Sequence, residues 1–228
     1  MKVIIITQAR IGSTRLPGKV LKKINNKTLL EIHLLRASKA RNVSKIIVAT
    51  TTEPGSEQIV QIAESLGHGF FCGPVEDVLA RFYMAALPEK PDYIVRITSD
   101  CPLIDPSLID EVVNAAIDND VDYASNINIL TFPDGVDTEV IRFSALEKAF
   151  NEAKENADRE HVTPYIRRNS TSQNGNLFRS ISIESPVDYS DIRITVDTKQ
   201  DFEFITHLVS ELGFEKPWQE YVTYILNN

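Results

Sequence analysis

Apolar positions along this chain fall into two kinds of run, and the two alternate. Val3 to Thr7, Lys45 to Thr51 (KIIVATT), Gly69 to Gly73 (GFFCG) and Tyr93 to Thr98 (YIVRIT) are short, continuous and rich in β-branched or aromatic residues. Such runs are too short for helices and predict buried strands. Between them the apolar spacing changes to that of helices. Thr28 stands three residues before Glu31, a capping-box spacing, and Leu30, Leu34 and Ala37, with Leu35 beside them, give a helical face running to about Ala40. Ser56 is expected to cap a second helix with Ile59, Ile62, Ala63 and Leu66 inward, closed by Gly67. A third is expected from about Val75 to Ala86. A fourth starts at Asp105-Pro106, with Leu108, Ile109, Val112, Val113 and Ala116 on its core side. Strand and helix in strict alternation predict an α/β fold: a mostly parallel sheet with helices on both faces. Ligands on such sheets bind beyond the carboxyl ends of the strands.

From Asp122 to Glu184 the pattern loosens. DYAS, VDTEVI and LFRSISIE are short strand candidates, Ser144 to about Glu155 is helical, and a second short helix is expected around Glu160 to Arg168. Asn169 to Asn176 is polar and predicts a loop. Neither end of this segment, taken as residues 122–190, has linker composition, so it is expected to be an irregular part of one domain spanning 1–228. Strand character returns at Ile192 to Val196 (IRITV), which delivers Asp197 and Thr198. Thr198 and Asp201 repeat the cap spacing and open a helix to Leu212, and an amphipathic piece holds Trp218, Tyr221, Val222 and Ile225.

Charge changes this picture in one place. The 228-residue chain is acidic, with net charge −8, which argues against a general nucleic-acid partner. Yet Met1 to Leu30 holds seven basic side chains and no acidic one. Gly12, Gly18, Ser13, Thr14 and Pro17 punctuate that stretch around Arg10, Arg15 and Lys19. A basic, glycine-bearing loop at the end of a first strand suits phosphate binding. It is not a Walker A loop: five residues, not four, separate Gly12 from Gly18-Lys19, and Val20 stands where Ser or Thr would hold magnesium. Cys72 and Cys101 form neither a metal spacing nor a disulfide framework and suit a reducing cytoplasm. The opening apolar run lacks the features of a secretory leader, and no run approaches the ~20 residues of a membrane span.

The acids that follow strands are the next candidates. Asp100 follows YIVRIT and Asp197 follows IRITV, and two carboxylates at strand ends could share Mg²⁺, although either is also an ordinary turn or cap residue. DREHVTPYIRR (Asp158 to Arg168) packs both signs and a histidine around an expected helix start; its spacing is not that of a metal triad. In FPDGVDTEV, Pro133-Asp134-Gly135 is a turn, and Asp137 and Glu139 alternate on one strand face, as polar outward positions of an edge strand would. His33, His68 and His207 carry no evident partner in the sequence. Cys101, beside Asp100, is either a nucleophile or a buried structural thiol.

QARIGSTRLPGKVL, DVLARFYMAA, VRITSDCPLIDP, PDGVDTEV, DREHVTPYIRR and ITVDTKQDFE occur in order along nearly the whole chain. Together they resemble the cytidylyltransferase-like family of spore coat polysaccharide biosynthesis proteins, which is related to the enzymes that make CMP-sialic acid and CMP-Kdo. The resemblance implies a single three-layer α/β/α domain of the glycosyltransferase-A-like nucleotidyltransferase type. It implies a cytoplasmic, Mg²⁺-dependent transferase that moves a nucleoside monophosphate, with CTP the favoured donor, to a sugar-like acceptor and releases pyrophosphate. On that basis Gln8, Ala9, Arg10, Gly12, Ser13, Arg15, Lys19 and Asp77 would bind nucleotide, and Arg10, Lys19 and Asp100 would be catalytic. Asp100 and Asp197 would hold the metal, and Asp134, Asp137, Glu139, Arg159, Glu160 and His161 would face the acceptor. Homodimers are common among such relatives, and 122–190 is the candidate interface. The alternatives are a GTP- or other nucleotide-dependent enzyme acting on a sugar phosphate, a glycosyltransferase of the same fold, and a non-catalytic nucleotide sensor. Asp118-Asn119-Asp120 has the spacing of a glycosyltransferase metal motif but falls late in an expected helix.

Overall fold

The computed structural model describes residues 1–228. The amino-terminal half runs β1 (Val3–Gln8), a small hairpin of β2 (Lys23–Ile24) and β3 (Lys27–Thr28), α1 (Leu29–Ala37), β4 (Lys45–Thr51), α2 (Ser56–Ser65), β5 (Gly69–Gly73), α3 (Val78–Ala86), β6 (Tyr93–Thr98) and α4 (Pro106–Asp118). Then come β7 (Tyr123–Ser125), β8 (Glu139–Arg142), α5 (Phe143–Glu152), α6 (Asn156–His161), α7 (Pro164–Arg168), β9 (Ser180–Ser182), α8 (Lys199–Leu212) and α9 (Trp218–Asn227).

Seven strands form one sheet in the order β5-β4-β1-β6-β8-β7-β9. β1 pairs in parallel with β4 and β6, while β8 runs antiparallel to β6 and β7. The chain steps outward from β1 to β4 and β5, then returns to place β6 on the other side of β1. That reversal opens a crevice at the carboxyl ends of β1 and β6. β1 is buried on both faces, which is why its sequence is a continuous apolar run. Val3 and Ile5 enter the core formed with α1, α2, α4, α8 and α9. Ile4 and Ile6 enter the opposite core, with α3, α5 and α7. The result is a three-layer α/β/α domain.

The caps form as their spacing predicts. Thr28 and Glu31 close a reciprocal capping box on α1, and Thr198 and Asp201 do so on α8. Asp105 Oδ1 accepts from Ser107 N at 2.9 Å to start α4, while its Oδ2 accepts from Trp218 N, tying α9 to the same corner.

Five expectations need correction. α3 begins at Val78 rather than Val75, because Asp77 is its cap and accepts from Ala80 N at 2.9 Å. Ser56 is the first residue of α2 rather than its cap, a position taken by Gly55 at φ 93°. The single short helix expected in DREHVTPYIRR is two, broken at Val162 (φ 71°) ahead of Pro164. IRITV is extended but forms no ladder; its one bridge joins Arg193 to Asp134. β8 is not an edge strand with its acids outward. It lies between β6 and β7, and Glu139 is 1% exposed because its carboxylate pairs with Arg96 and accepts from Tyr123 OH at 2.5 Å.

Candidate functional site

A cavity of about 300 Å³ lies at the carboxyl ends of β1 and β6, where the strand order reverses. The loop after β1 forms its floor. Gly18 takes a left-handed conformation (φ 63°), donates its N–H to Ile11 O at 3.0 Å, and turns Lys19 inward at the head of a short 3-10 turn.

Lys19 is the centre of the site. Its Nζ lies 2.9 Å from Asp100 Oδ2, 2.9 Å from Asp197 Oδ1 and 2.9 Å from Val196 O. All three ammonium donors are therefore spent on acceptors from two distant parts of the chain. Asp197 also meets Arg15 at 3.1 Å and, through Oδ2, Arg193 at 2.6 Å. The second Arg193 nitrogen holds Asp134 at 2.6 Å. The backbone carbonyl of Asp100 accepts from Val196 N at 2.8 Å and Thr195 Oγ1 at 3.1 Å, so the segment ending in Asp197 docks directly on the residue it partners. Burial would lower the Lys19 pKa, but Asp100 and Asp197 outweigh it and hold the ammonium above its ordinary range. Burial would likewise raise the Asp197 carboxyl, yet Lys19, Arg193 and Arg15 hold it below its ordinary value.

Arg10 and Arg81, which also line the cavity, make no ion pair within the chain, although Glu53 and Asp77 act on Arg81 from a distance and Glu76 and Glu160 share the lining. Arg81, on α3, is 1% exposed and lines the cavity. Its Nη1 donates to Pro74 O at 2.6 Å, while its Nε is buried without a partner. Burial, then repulsion from Arg10, pushes its pKa down to about 10. Arg10 lines the same cavity, exposed, and Gln8 Oε1 is buried there without a partner. Arg81 Nε thus lacks an acceptor and Gln8 Oε1 lacks a donor, so a ligand at this end of the cavity would have to supply both.

The structure brings Gln8, Ala9, Arg10, Ser13, Arg15, Lys19, Asp100, Asp197, Glu160 and His161 to this one cavity. Others from the sequence stand apart from its wall. Gly12 packs against Glu53, whose Oε1 is 2.9 Å from where a Cβ would sit. Asp77 is spent on capping α3 and on Arg159, whose Nη2 reaches it at 2.5 Å. Arg159 accordingly points away, toward Asp77 and Phe150 O. Asp134 reaches the site only through Arg193. Glu139 is locked to Arg96 and Tyr123. Asp137 is largely buried between Asp134 and Glu139, and burial followed by those two charges raises its carboxyl to about 7. Asp118-Asn119-Asp120 lies at the opposite edge of the sheet, where Asp120 pairs with Arg142 beside the amino end of β6. Cys101 is buried, and burial followed by Asp100 raises its thiol well above the ordinary value, which leaves it inert as a nucleophile.

Arg81, Thr98 and Ser99 are cavity residues that the sequence did not single out. The one available signal for Arg81 was a cation on the apolar side of an amphipathic helix, in DVLARFYMAA. His33, which has no evident partner in the sequence, has two in the structure. It is fully buried, bonded to Thr7 and to the Cys101 carbonyl.

A sequence model of the family described as cytidylyltransferase matches residues 4–224. The chain belongs to the cytidylyltransferase family. It is 45% identical over 210 residues to an uncharacterized protein of Methanocaldococcus jannaschii, covering 91% of this chain and 83% of that protein. It is 35% identical over 223 residues to a spore coat polysaccharide biosynthesis protein of Bacillus subtilis, covering 94% and 89%. A solved cytidylyltransferase from Leptospira borgpetersenii superposes with a TM-score of 0.93 at 33% identity, over 100% of this chain and 95% of that one.

A divalent cation fits the donor set of this cytidylyltransferase. Asp100 and Asp197 present hard carboxylate oxygens to a point already held by a cation, the Lys19 ammonium. No third carboxylate, His or Cys joins them as a ligand cluster. Magnesium is commonly held by one or two carboxylates, its other positions left to water and phosphate oxygens. No helix of the cytidylyltransferase is long and apolar enough to cross a membrane.

Proposed function

We propose that the protein transfers CMP from CTP to an oxygen of a sugar-like acceptor, releasing pyrophosphate, in the synthesis of a surface polysaccharide or related glycoconjugate. The observation that carries this is the polarity of the cavity: two strand-end carboxylates gathered on Lys19 at one end, and Arg10 and Arg81 without carboxylate partners at the other. A triphosphate spanning the cavity would meet cations along its chain and a carboxylate pair beside it. The family and the Leptospira structure support cytosine as the base. The Bacillus subtilis relative supports the polysaccharide pathway.

In this reaction the acceptor oxygen forms a bond to the α-phosphorus as the bond to the bridging α–β oxygen breaks. Negative charge gathers on the phosphate oxygens, so catalysis is largely positioning and electrostatic stabilisation. Arg10, Arg15 and Arg81 would hold the triphosphate, and Lys19 would turn from its carboxylates to the phosphate oxygens. Gln8, Ala9 and Ser13 would contact the nucleoside side. Asp100 and Asp197 would hold Mg²⁺, which supplies Lewis-acid polarisation of phosphate when bound. Glu160 and His161, at the carboxyl end of α6, would face the acceptor.

The test is pyrophosphate release with each of the four nucleoside triphosphates, Mg²⁺, and a panel of sugar acids, sugar phosphates and neutral sugars. Turnover with CTP and at least one sugar is expected. Asp100→Asn should lower it by ~10²-fold or more. No triphosphate binding and no turnover across the panel would remove the proposal, and wild-type rates in Asp100→Asn would remove Asp100 from the site.

A further inference from the structure

The proposed reaction leaves a fully buried histidine beside the site without a role. His33 stands mid-way along α1, facing the sheet, with no exposed surface. One ring nitrogen, Nδ1, lies 2.9 Å from Cys101 O, and the other, Nε2, lies 3.0 Å from Thr7 Oγ1. Both contacts adjoin the cavity. Thr7 precedes Gln8 at the end of β1, and Cys101 follows Asp100 in the turn after β6.

The chemistry of the partners fixes the state of the ring. Burial drives its pKa down to about 4, so the imidazole is neutral, with one N–H and one lone pair. A backbone carbonyl can only accept. The proton is therefore on Nδ1, donated to Cys101 O, and Nε2 accepts from the Thr7 hydroxyl. The turn bearing Asp100 is thus gripped on two sides. Cys101 O accepts from His33 Nδ1 and from Ile104 N at 3.2 Å, while Asp100 O accepts from Thr195 and Val196. The second grip comes from the segment that carries Asp197. The first comes from α1, which contributes nothing else to the cavity wall.

We propose that His33 is a positioning residue: through its Nδ1–H bond to the Cys101 carbonyl it sets the direction of the Asp100 carboxylate, and so the spacing of the Asp100–Asp197 pair. This rests on the proposed function, in which that pair holds the metal. A ligand's outer hydrogen-bond partner is commonly worth as much as a tenfold to hundredfold change in metal affinity or activity.

Two near-isosteric substitutions separate the two ring contacts. Asparagine places a donor where Nδ1 was, and glutamine places its amide where Nε2 was. His33→Gln should lower kcat by about tenfold or more and raise the half-saturating Mg²⁺ concentration, with the Kd for CTP unchanged. His33→Asn should retain kcat to within about threefold and keep the wild-type Mg²⁺ dependence, because the Cys101 contact survives. Equal losses in both variants, or a loss expressed only in thermal stability, would overturn the proposal. A readout that needs no variant guards against misfolding. The Nδ1-bound proton of His33 in the wild-type protein should shift in its NMR spectrum when Mg²⁺ is added to the CTP complex. An unmoved resonance in a protein that binds CTP and Mg²⁺ overturns the tether. Failure of the wild-type protein to bind any triphosphate would instead remove the function on which the tether depends.

Discussion

Lys19 Nζ stands 2.9 Å from Asp100 Oδ2, and the same ammonium bridges to Asp197 at the same distance. Lys19, with Arg15 and Arg193 on Asp197, thus offsets the charge of the carboxylate pair from within the chain. A metal held by the pair, as proposed above, would have to displace the lysine. Lys19→Met should tighten Mn²⁺ binding to the nucleotide-free protein by about tenfold or more, roughly 1.4 kcal/mol, and cut turnover by ~10²-fold. The Mn²⁺ EPR signal reads the first and pyrophosphate release the second. Identical Mn²⁺ affinity in wild type and variant would show that the lysine does not guard the pair.

Arg81 is expected to exchange stability for ligand binding. Its guanidinium is buried with no carboxylate partner, and replacing such a charge by an apolar group of similar length is often neutral or stabilising. Arg81→Met should raise the ligand-free Tm, by about 2–4 °C for each kcal/mol recovered, and weaken CTP binding by about tenfold. Thermal melts with and without CTP check both. A fall in ligand-free Tm would mean that the hydrogen bond to Pro74 O outweighs the buried charge.

Asp137 gives stability a pH dependence opposite to that of a paired carboxylate. Its carboxyl is raised from 3.8 to about 7, so the folded state binds more protons than the unfolded state between those values. Stability therefore falls as pH rises through that window. Asp197 is depressed, so its contribution is present above its ordinary range near 3.8 and is lost at lower pH. Asp137→Asn should raise Tm relative to wild type at pH 8 and leave it nearly unchanged at pH 4. A constant offset at both values would show that Asp137 does not titrate in this window.

Gly135 lets two backbones meet. At φ 119° its missing Cβ would lie 2.8 Å from Ile194 C and 2.9 Å from Ile194 O. The neighbouring hydrogen bonds, Asp134 N to Ile192 O at 2.9 Å and Ile194 N to Asp134 O at 2.7 Å, position the strand of chain that ends at Asp197. Gly135→Ala should cost about 1–3 kcal/mol in urea unfolding and lower activity through Asp197 rather than through the phosphate loop. Unchanged kcat with reduced stability would separate this contact from the site.

The sheet was legible where short continuous runs are dominated by β-branched and aromatic residues, whether the strand is central, as β4 and β6 are, or the half-exposed edge strand β5. β4, β5 and β6 have the bounds that KIIVATT, GFFCG and YIVRIT predict. Ile192 to Val196 has the same composition, but its backbone groups bond to Asp134 and Asp100 rather than to a neighbouring strand. Composition reports β tendency, not the partner. Glu139 of β8 was misplaced for a related reason. Alternation reveals two faces, but only the fold shows that the polar one is covered and that Arg96 waits there. In the site, the residues near Lys19 in sequence were readable as a basic loop. That Lys19 would close on Asp100 and Asp197 was not, because those contacts span 81 and 178 residues. Arg81 escaped notice because a helix pattern records its position and not that its side chain is enclosed.

The same separation has a kinetic consequence. A chain emerging in order from synthesis can form β1, its loop and the turn at Asp100 well before residue 197 exists. The clamp on Lys19 waits for the irregular segment to fold and for the return of residues 192–197 to the sheet. Contacts at such sequence distance form late, since chain closure must precede them. The Lys19 clamp therefore doubles as a marker of finished folding: a chain stalled before this docking holds its basic loop without the Asp100–Asp197 pair closed on it.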